Sequence, residues 1–205
     1  LVIIFLSRFF YRKRSPVMKT KELLADSFRS LVLTMPFQKI SIKMITDGAH
    51  VIRPTFYNYF QDKYEVMEWL LETEVFQHVR EMAEDGMEKE AIYLLFRKME
   101  KDRIYYQKAF EVTGQNSFEE MLYGRIFNME EILVKHHPLK HLSNMPHVDE
   151  KVFLEFHAIS LVNGLKYWLI RESKNISAGD AMEFYQYMMS HSILDLLDIE
   201  NTEKK

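Results

Sequence analysis

The feature that most constrains the fold is the segment Ile40 to Lys63, in which a helical pattern is interrupted once by a tight turn. Ser41 is a favourable N-cap residue, and apolar residues follow at the i, i+3 and i+7 spacing of one buried helix face: Ile42, Ile45 and Ala49. Pro54 suits the first turn of a second helix, because its missing N–H and fixed φ do no harm there. The segment therefore predicts two short helices joined at His50 and Val51.

The second of these helices combines a buried side with an exposed polar side. Phe56 and Phe60 lie four residues apart and are expected to face the core. The other positions carry a cation, two phenols, a hydroxyl and an amide: Arg53, Tyr57, Tyr59, Thr55 and Asn58. These side chains can reach phosphate oxygens and base edges in a major groove. The pattern predicts a helix that binds DNA.

The string TFYNYFQDK, Thr55 to Lys63, resembles the helix-turn-helix signature of the TetR family of bacterial transcription regulators. The match extends upstream to Phe37 and downstream to Met67, and RPTFYNYFQDKYEVMEWL is similar to regulators of dihydroxyacetone kinase operons. The resemblance implies a sequence-specific regulator that binds a palindromic double-stranded DNA operator as a homodimer. It also implies control by an effector, either a small molecule or a protein.

Two residues depart from the family pattern. His50 stands where the family usually has Gly in the turn, so we expect a left-handed backbone that costs a non-glycine residue on the order of 1 kcal/mol. Ile52 stands where Ser or Thr often caps the recognition helix. The sequence therefore leaves the first residue of that helix open.

The predicted DNA-binding residues fall into groups by role. Base edges are assigned to Arg53, Thr55, Asn58 and Lys43. Phosphate contacts are assigned to Tyr57, Tyr59 and Lys63, the last assisted by the N-terminus of the helix that follows. The predicted DNA-binding set also includes Ser41, the N-cap of the first helix, and Pro54, in the first turn of the second helix.

The charge distribution supports this placement of the DNA-binding surface. Residues 18–63 carry seven Lys and Arg against four Asp and Glu, a net charge of +3, whereas residues 64–205 carry 16 against 26, a net charge of −10. Because phosphates respond to the local sign, the whole-chain charge of −3 hides a basic N-terminal segment. Lysines and arginines that merely solvate a small domain are the alternative.

The first 17 residues, LVIIFLSRFFYRKRSPV, are treated apart. Their apolar run is shorter than the roughly 20 residues of a membrane span, and their basic cluster follows the apolar part, the reverse of a secretory signal. We expect Met18 to be the native start. A basic arm that contacts a minor groove is the alternative.

The rest of the chain predicts an all-α fold of about nine helices. Five prolines and six glycines leave few breakpoints, and no alternating strand pattern is sustained. Ser117 and Ser177 are predicted N-caps, and the last helix is expected to run from Ser177 to about Asp198. We assign residues 18–63 to a three-helix DNA-binding domain and residues 64–205 to a helical domain for effector binding and dimerisation.

The last two long helices are the predicted dimer interface. Apolar and small residues recur on them at three- and four-residue spacing, and two such helices per chain can form a four-helix bundle with a second copy. The predicted interface residues are Phe156, Ser160, Gly164, Tyr185, Met189 and Ile193. Gly164 is expected to allow close approach of a neighbouring helix. Packing of both helices into the body of a monomer is the alternative.

A predicted effector pocket rests on aromatic residues in the middle of the chain. Its candidate lining residues are Tyr93, Phe96, Tyr106, Phe110 and Phe127. Such side chains can surround an apolar ligand, but at helical spacing they more often fill a core.

Enzyme functions have little support in the sequence. The chain has no Cys, which is consistent with the cytoplasm, and no nucleotide-binding, nucleophile-elbow or zinc-protease motif, so we expect no cofactor and no catalysis. The histidines His136, His137, His141 and His147 could bind zinc, but they read as a polar connection and we expect no metal site. A helical adaptor protein with a vestigial DNA-binding domain is the competing function. The sequence leaves the operator, the effector and the choice between repression and activation open.

Overall fold

The computed structural model describes residues 16–137, 139, 147–171 and 176–197. Every regular element among these residues is helical, which confirms the predicted all-α class. The chain divides into two compact units, Leu1–Met67 and Glu68–Lys205. None of the described helices is both long and apolar enough to cross a lipid bilayer.

The first unit contains three α-helices and the start of a fourth. They are α1 (Pro16–Thr34), α2 (Ile42–Gly48), α3 (Arg53–Tyr57) and α4 (Lys63–Leu71), with a single 3₁₀ turn (Phe37–Lys39) before α2. α1 packs against α2, and α2 packs against α3. Gly48 permits the first of these contacts, because a Cβ atom at this position would lie 2.3 Å from the Ser27 hydroxyl oxygen of α1.

An aromatic and aliphatic core holds the first unit together. Phe28, Ile45, Phe56 and Phe60 are each no more than 1% exposed. The rings of Phe56 and Phe60 lie 5.7 Å apart, which confirms that both face the core. Burial of such a side chain contributes about 1.5–3 kcal/mol, so this small cluster is sufficient to fix α3 against the rest of the unit.

The turn between α2 and α3 has the predicted backbone conformation. His50 has a φ of 56°, in the left-handed region. The amide of His50 donates to the Asp47 carbonyl and that of Val51 donates to the Thr46 carbonyl, which ends α2 and redirects the chain. α3 then begins at Arg53 without a side-chain cap from Ile52, and this settles the position that the sequence left open.

The second unit continues the helix that begins at Lys63. A π-helical turn (Glu72–Phe76) separates α4 from α5 (Gln77–Glu84). The helices that follow are α6 (Glu88–Lys101), α7 (Arg103–Ala109), α8 (Phe118–His136), α9 (Glu150–Ile170), α10 (Ala178–Ser190) and α11 (Ile193–Leu196). α8 packs against α5 and α9, and α6 packs against α5 and α10.

The predicted caps explain where several of these helices begin. The Ser117 hydroxyl accepts a hydrogen bond from the Glu120 amide at the start of α8, and Ser177 forms a full capping box with Asp180 at the start of α10. The prediction of one unbroken helix from Ser177 to Asp198 is wrong. α10 ends at Ser190, and a second capping box, between Ser192 and Asp195, begins α11.

Side chains of α7 hold the carboxyl end of α9. The Gln107 amide nitrogen lies 2.5 Å from the Leu169 carbonyl oxygen, and Arg103 donates to the Trp168 carbonyl. The Arg103 guanidinium also lies 5.1 Å from the centre of the Trp168 ring. These donors satisfy carbonyl groups that the end of a helix otherwise leaves unpaired.

The turn residue His50 provides a direct test of backbone strain. We expect His50→Gly to raise the stability of the first unit by about 1 kcal/mol, because glycine adopts a positive φ without a Cβ clash. His50→Val should lower the stability, since a β-branched side chain tolerates this conformation least. Thermal unfolding of the full chain, followed by circular dichroism, measures both. An unchanged or lowered midpoint for His50→Gly would contradict the assignment of strain.

Candidate nucleic-acid interface

The short helix α3 presents polar side chains over a buried base. Phe56 is fully buried, whereas Arg53, Pro54, Tyr57 and Asn58 are exposed. Thr55 and Tyr59 are half-buried and flank this surface. The structure thus brings together, on one five-residue helix and the residues after it, the six predicted contacts of this segment.

Two of the exposed side chains on α3 are coupled. The Arg53 guanidinium donates to the Tyr57 hydroxyl over 3.1 Å, and its carbon lies 5.7 Å from the centre of the Tyr57 ring. Because both residues lie on the surface, this contact orients the guanidinium without removing it from solvent. The arrangement leaves most of the five arginine N–H donors available to base edges or phosphates.

The helix α2 contributes two further predicted contacts. Ser41 is its N-cap, and the hydroxyl accepts from the Met44 amide over 3.3 Å. Lys43 forms an exposed ion pair with Asp47, with 2.6 Å between nitrogen and oxygen. An exposed pair of this kind contributes no more than about 1 kcal/mol, so Lys43 can exchange its partner for a phosphate.

Lys63 has a structural role that the sequence did not indicate. Its ammonium nitrogen lies 2.7 Å from the Phe37 carbonyl oxygen, 3.0 Å from that of Ile40 and 3.3 Å from that of Gln38. It also lies 4.4 Å from the centre of the Phe37 ring. A lysine has three donors, and here all three have acceptors within the unit. These contacts favour a structural role for Lys63, and its phosphate contact stays a prediction.

The N-terminus of α4 is likewise already satisfied. The Asp62 carboxylate accepts from the amides of Tyr64 and Glu65 over 2.8 and 2.9 Å. The Glu65 carboxylate accepts from the Gln61 amide over 2.5 Å. The Asp62 carboxylate thus occupies the position that a phosphate would take at the N-terminus of α4. Desolvation lowers the pKa of Lys63, and the nearby Asp62 carboxylate opposes that shift.

The aromatic residues predicted to line an effector pocket mostly fill the core of the second unit. Phe96, Tyr106 and Phe110 are no more than 3% exposed. The Phe118 ring lies 4.9 Å from that of Phe110, and Phe96 packs on Trp168. The structure favours core packing for these three residues.

The other two predicted pocket residues lie nearer the surface. Tyr93 is 41% exposed, and the half-buried Phe127 packs on Tyr123. Tyr93 lines an open cavity of about 460 Å³ between α6 and α10. Another cavity, of about 290 Å³, lies between α6, α8, α9 and α10, and none of the five predicted residues lines it.

The predicted dimer residues occupy two different environments. Phe156 and Ile193 are both 68% exposed, and Met189 is 41% exposed. Gly164, however, faces a side chain of its own chain: a Cβ atom there would lie 3.0 Å from the Tyr185 ring. The close approach predicted for Gly164 is thus made by α10 of the same unit.

The remaining two predicted dimer residues turn inward or bond locally. Tyr185 lines the cavity of about 290 Å³ and packs against Gly164, so these two residues make an internal contact and their role in a dimer stays a prediction. The Ser160 hydroxyl donates to the Phe156 carbonyl of its own helix.

The histidine-rich connection shows no metal geometry in its described part. His136, His137 and His147 are exposed, and His137 lies 2.8 Å from the Glu88 carboxylate. His141 lies outside the described residues. Among the described residues, no group of three or more His, Asp or Glu side chains is arranged to hold an ion.

Sequence and structure comparisons place these observations among known proteins. No protein-family model matches the chain. A segment of 107 residues is 28% identical to the HTH-type dhaKLM operon transcriptional activator DhaS of Lactococcus lactis subsp. lactis, and it spans 52% of this chain and 57% of that protein.

Two solved structures share the fold. The dihydroxyacetone kinase operon activator DhaS superposes with a TM-score of 0.56 and 22% identity, over 83% of this chain and 92% of DhaS. A TetR transcriptional regulator from Streptococcus agalactiae superposes with a TM-score of 0.63 and 18% identity, over 92% of this chain and 98% of that protein. These comparisons confirm the predicted resemblance to TetR-type regulators, including the dihydroxyacetone kinase operon subgroup.

The role of Lys63 can be separated from a phosphate contact by two measurements on one variant. We expect Lys63→Met to lower the stability of the first unit by about 2 kcal/mol, because three carbonyl groups lose a charged donor. The slope of log binding constant against log salt should stay unchanged. A phosphate contact would instead reduce that slope by about 1 and leave the stability unaltered. Lys39→Met, at an exposed lysine of the same unit, is the control for stability.

Proposed function

We propose that this chain is a TetR-type transcription regulator that binds a palindromic DNA operator as a homodimer and responds to an effector. The observation that carries the proposal is the surface of α3, where Arg53, Tyr57 and Asn58 are exposed above the buried Phe56. A helix placed after a tight turn, with donors on one side and apolar anchors on the other, is suited to a major groove. The fold shared with transcription regulators supports the proposal.

Different roles follow from where each side chain lies. Arg53, Thr55 and Asn58 are proposed to approach base edges, since their donors and acceptors can form paired contacts in the groove. Tyr57 and Tyr59 are proposed to hold phosphates, with Lys43 able to contribute to either surface. Ser41 and Pro54 fix the first turns of α2 and α3 and thereby orient these groups.

The target of regulation is proposed from the relatives. The DhaS proteins to which the chain is similar are described as activators of a dihydroxyacetone kinase operon. We propose that this chain acts on a promoter of the same type. Footprinting on such a promoter, and on the region beside the chain's own gene, would locate an inverted repeat.

A homodimer is proposed from an apolar face that the single chain leaves exposed. On α9 the exposed apolar side chains are Val152, Phe153, Phe156, Ile159, Tyr167 and Ile170. On α10 and α11 they include Phe184, Tyr187, Met188, Ile193 and Leu194. The opposite face of α9 is buried, so this helix is apolar on nearly all sides.

A second copy of the chain is the occupant that the proposed function requires. A helix apolar on all sides is normally buried, and exposed patches of this kind mark interaction sites. One short recognition helix reads few bases, whereas a two-fold dimer reads two half-sites. A symmetric contact through this face would bury the exposed apolar side chains and would place two recognition helices in one dimer.

Base recognition is tested by single substitutions on an operator and on a scrambled duplex. We expect Arg53→Ala and Asn58→Ala to reduce the preference for the operator by about 1–3 kcal/mol for each lost contact. Tyr59→Phe should weaken binding to both duplexes alike, because a phosphate contact carries no base information. Asn128→Ala, at an exposed asparagine of α8, is the matched control. Wild-type binding without any preference for the operator would support the adaptor function instead.

Self-association is tested by placing a charge on the exposed apolar face. We expect Phe156→Asp and Ile193→Asp to convert a dimer into a folded monomer, because a buried unpaired carboxylate costs several kcal/mol at an interface and nothing comparable in water. Ile104→Asp is the matched control, since Ile104 is 65% exposed on α7. Sedimentation of the full chain without DNA measures the state. A dimer that survives both substitutions would move the interface to another surface.

A further inference from the structure

The cavity of the second unit has apolar walls and one charged corner. Its volume is about 290 Å³, close to the lower end of the range for small-molecule sites. The walls are formed mostly by Ile92, Met129, Leu133, Leu161 and Met189, and the corner by Glu130, His157 and Tyr185.

Glu130 is a buried carboxylate with one oxygen in use and one oxygen without a partner. The residue is 4% exposed, and its Oε1 atom lies 2.7 Å from Nδ1 of His157. The Oε2 atom is buried and has no hydrogen-bond partner in the part of the chain that the structure describes. A buried polar atom left unpaired costs about 1–3 kcal/mol, and more when it carries charge.

Packing does not explain why a carboxylate occupies this position. Glu130 lies in a stripe of buried residues at every fourth position of α8, and the others are Phe118, Leu122, Ile126 and Val134. A further aliphatic residue would continue the stripe without the desolvation cost. Glu130 instead borders the cavity and is hydrogen-bonded to His157, whose Nε2 atom lies 3.5 Å from the Tyr185 hydroxyl.

We propose that this cavity binds a small ligand with an apolar body and a terminal hydroxyl or amine, which donates a hydrogen bond to Oε2 of Glu130. Because Oε2 is buried in the unliganded chain, this contact requires the Glu130 carboxylate to rotate towards the cavity. The apolar walls remove the ligand body from water, and the donor satisfies the one buried oxygen that the protein leaves unpaired. The inference rests on the proposed function in one respect: a ligand bound here would be the effector. Binding itself requires no DNA.

The groups around the cavity favour a ligand that donates a hydrogen bond over an anionic ligand. An anionic ligand would place its charge beside Glu130 in a poorly solvated site, where like charges repel strongly. Burial raises the pKa of Glu130, and the contact with His157 opposes this rise. Burial and the Glu130 charge raise the pKa of Tyr185, so its hydroxyl stays neutral at physiological pH and adds no anionic charge.

The test uses three probes that share one apolar body and differ at the terminal group. The probes are 2-phenylethylamine, 2-phenylethanol and phenylacetate, titrated calorimetrically into the full chain without DNA. We expect the amine or the alcohol to bind at least about tenfold more tightly than phenylacetate, since only they donate to Oε2. Binding of none of the three, or of phenylacetate most tightly, overturns the proposal.

Variants separate the carboxylate from the rest of the cavity. We expect Glu130→Gln to reduce the affinity of the donor probes by about tenfold, because the carboxylate acceptor is lost. Glu131→Gln, at the exposed neighbour on α8, should leave the affinity unchanged. Unaltered affinity in Glu130→Gln overturns the proposal.

A third variant keeps the test decisive should Glu130→Gln fail to fold. Met189→Trp fills the cavity from a half-exposed position on α10 and leaves Glu130 in place. We expect it to abolish probe binding, and full retention of binding would place the ligand elsewhere. Operator affinity, measured separately, distinguishes failure of this site from failure of the proposed DNA-binding function.

Discussion

The ammonium group of Lys63 is the interaction on which the geometry of the first unit depends. It donates hydrogen bonds to the carbonyl groups of Phe37, Gln38 and Ile40. These residues belong to the 3₁₀ turn before α2 or directly follow it. Because these carbonyls lie 23 to 26 residues earlier in the chain, one side chain ties the start of α4 to the approach of α2. The position of α3 between these elements then follows from the burial of Phe56 and Phe60. Lys63, a residue of the signature string, thus has a structural role within the first unit.

The periodicity of apolar residues was sufficient to predict most of the helices. It did not predict the π-helical turn or the break before α11. Apolar spacing placed Ile45, Phe56 and Phe60 in the core, and the turn pattern placed His50 in the left-handed region, as observed. The π-helical turn Glu72–Phe76 has no such signature, because it changes the hydrogen-bond spacing without a helix-breaking residue. The break before α11 could have been read from Ser192 and Asp195, whose spacing is that of a capping box.

The candidate sites show which information a single sequence lacks. The exposed donors of α3 could be predicted because a short helix has only one face to bury. The partner of Gly164 could not, since a glycine that allows close approach fits a helix of the same chain as well as one of a second copy. The aromatic residues of the second unit gave little information about where a ligand could bind, because such side chains also fill close-packed interiors. The informative signal was Glu130, an acidic residue within an apolar stripe.

Helix α10 belongs to both proposed binding surfaces of the second unit. Tyr185 and Met189 border the cavity, whereas Phe184 and Met188 lie on the exposed apolar face. A helix in a close-packed unit shifts as a whole, so a ligand that repositions Tyr185 also changes the face offered to a second copy. Linkage then requires the reverse effect: self-association through α10 alters the affinity of the cavity by the same factor. The proposed ligand site and the proposed dimer face would thereby be coupled through the single helix α10.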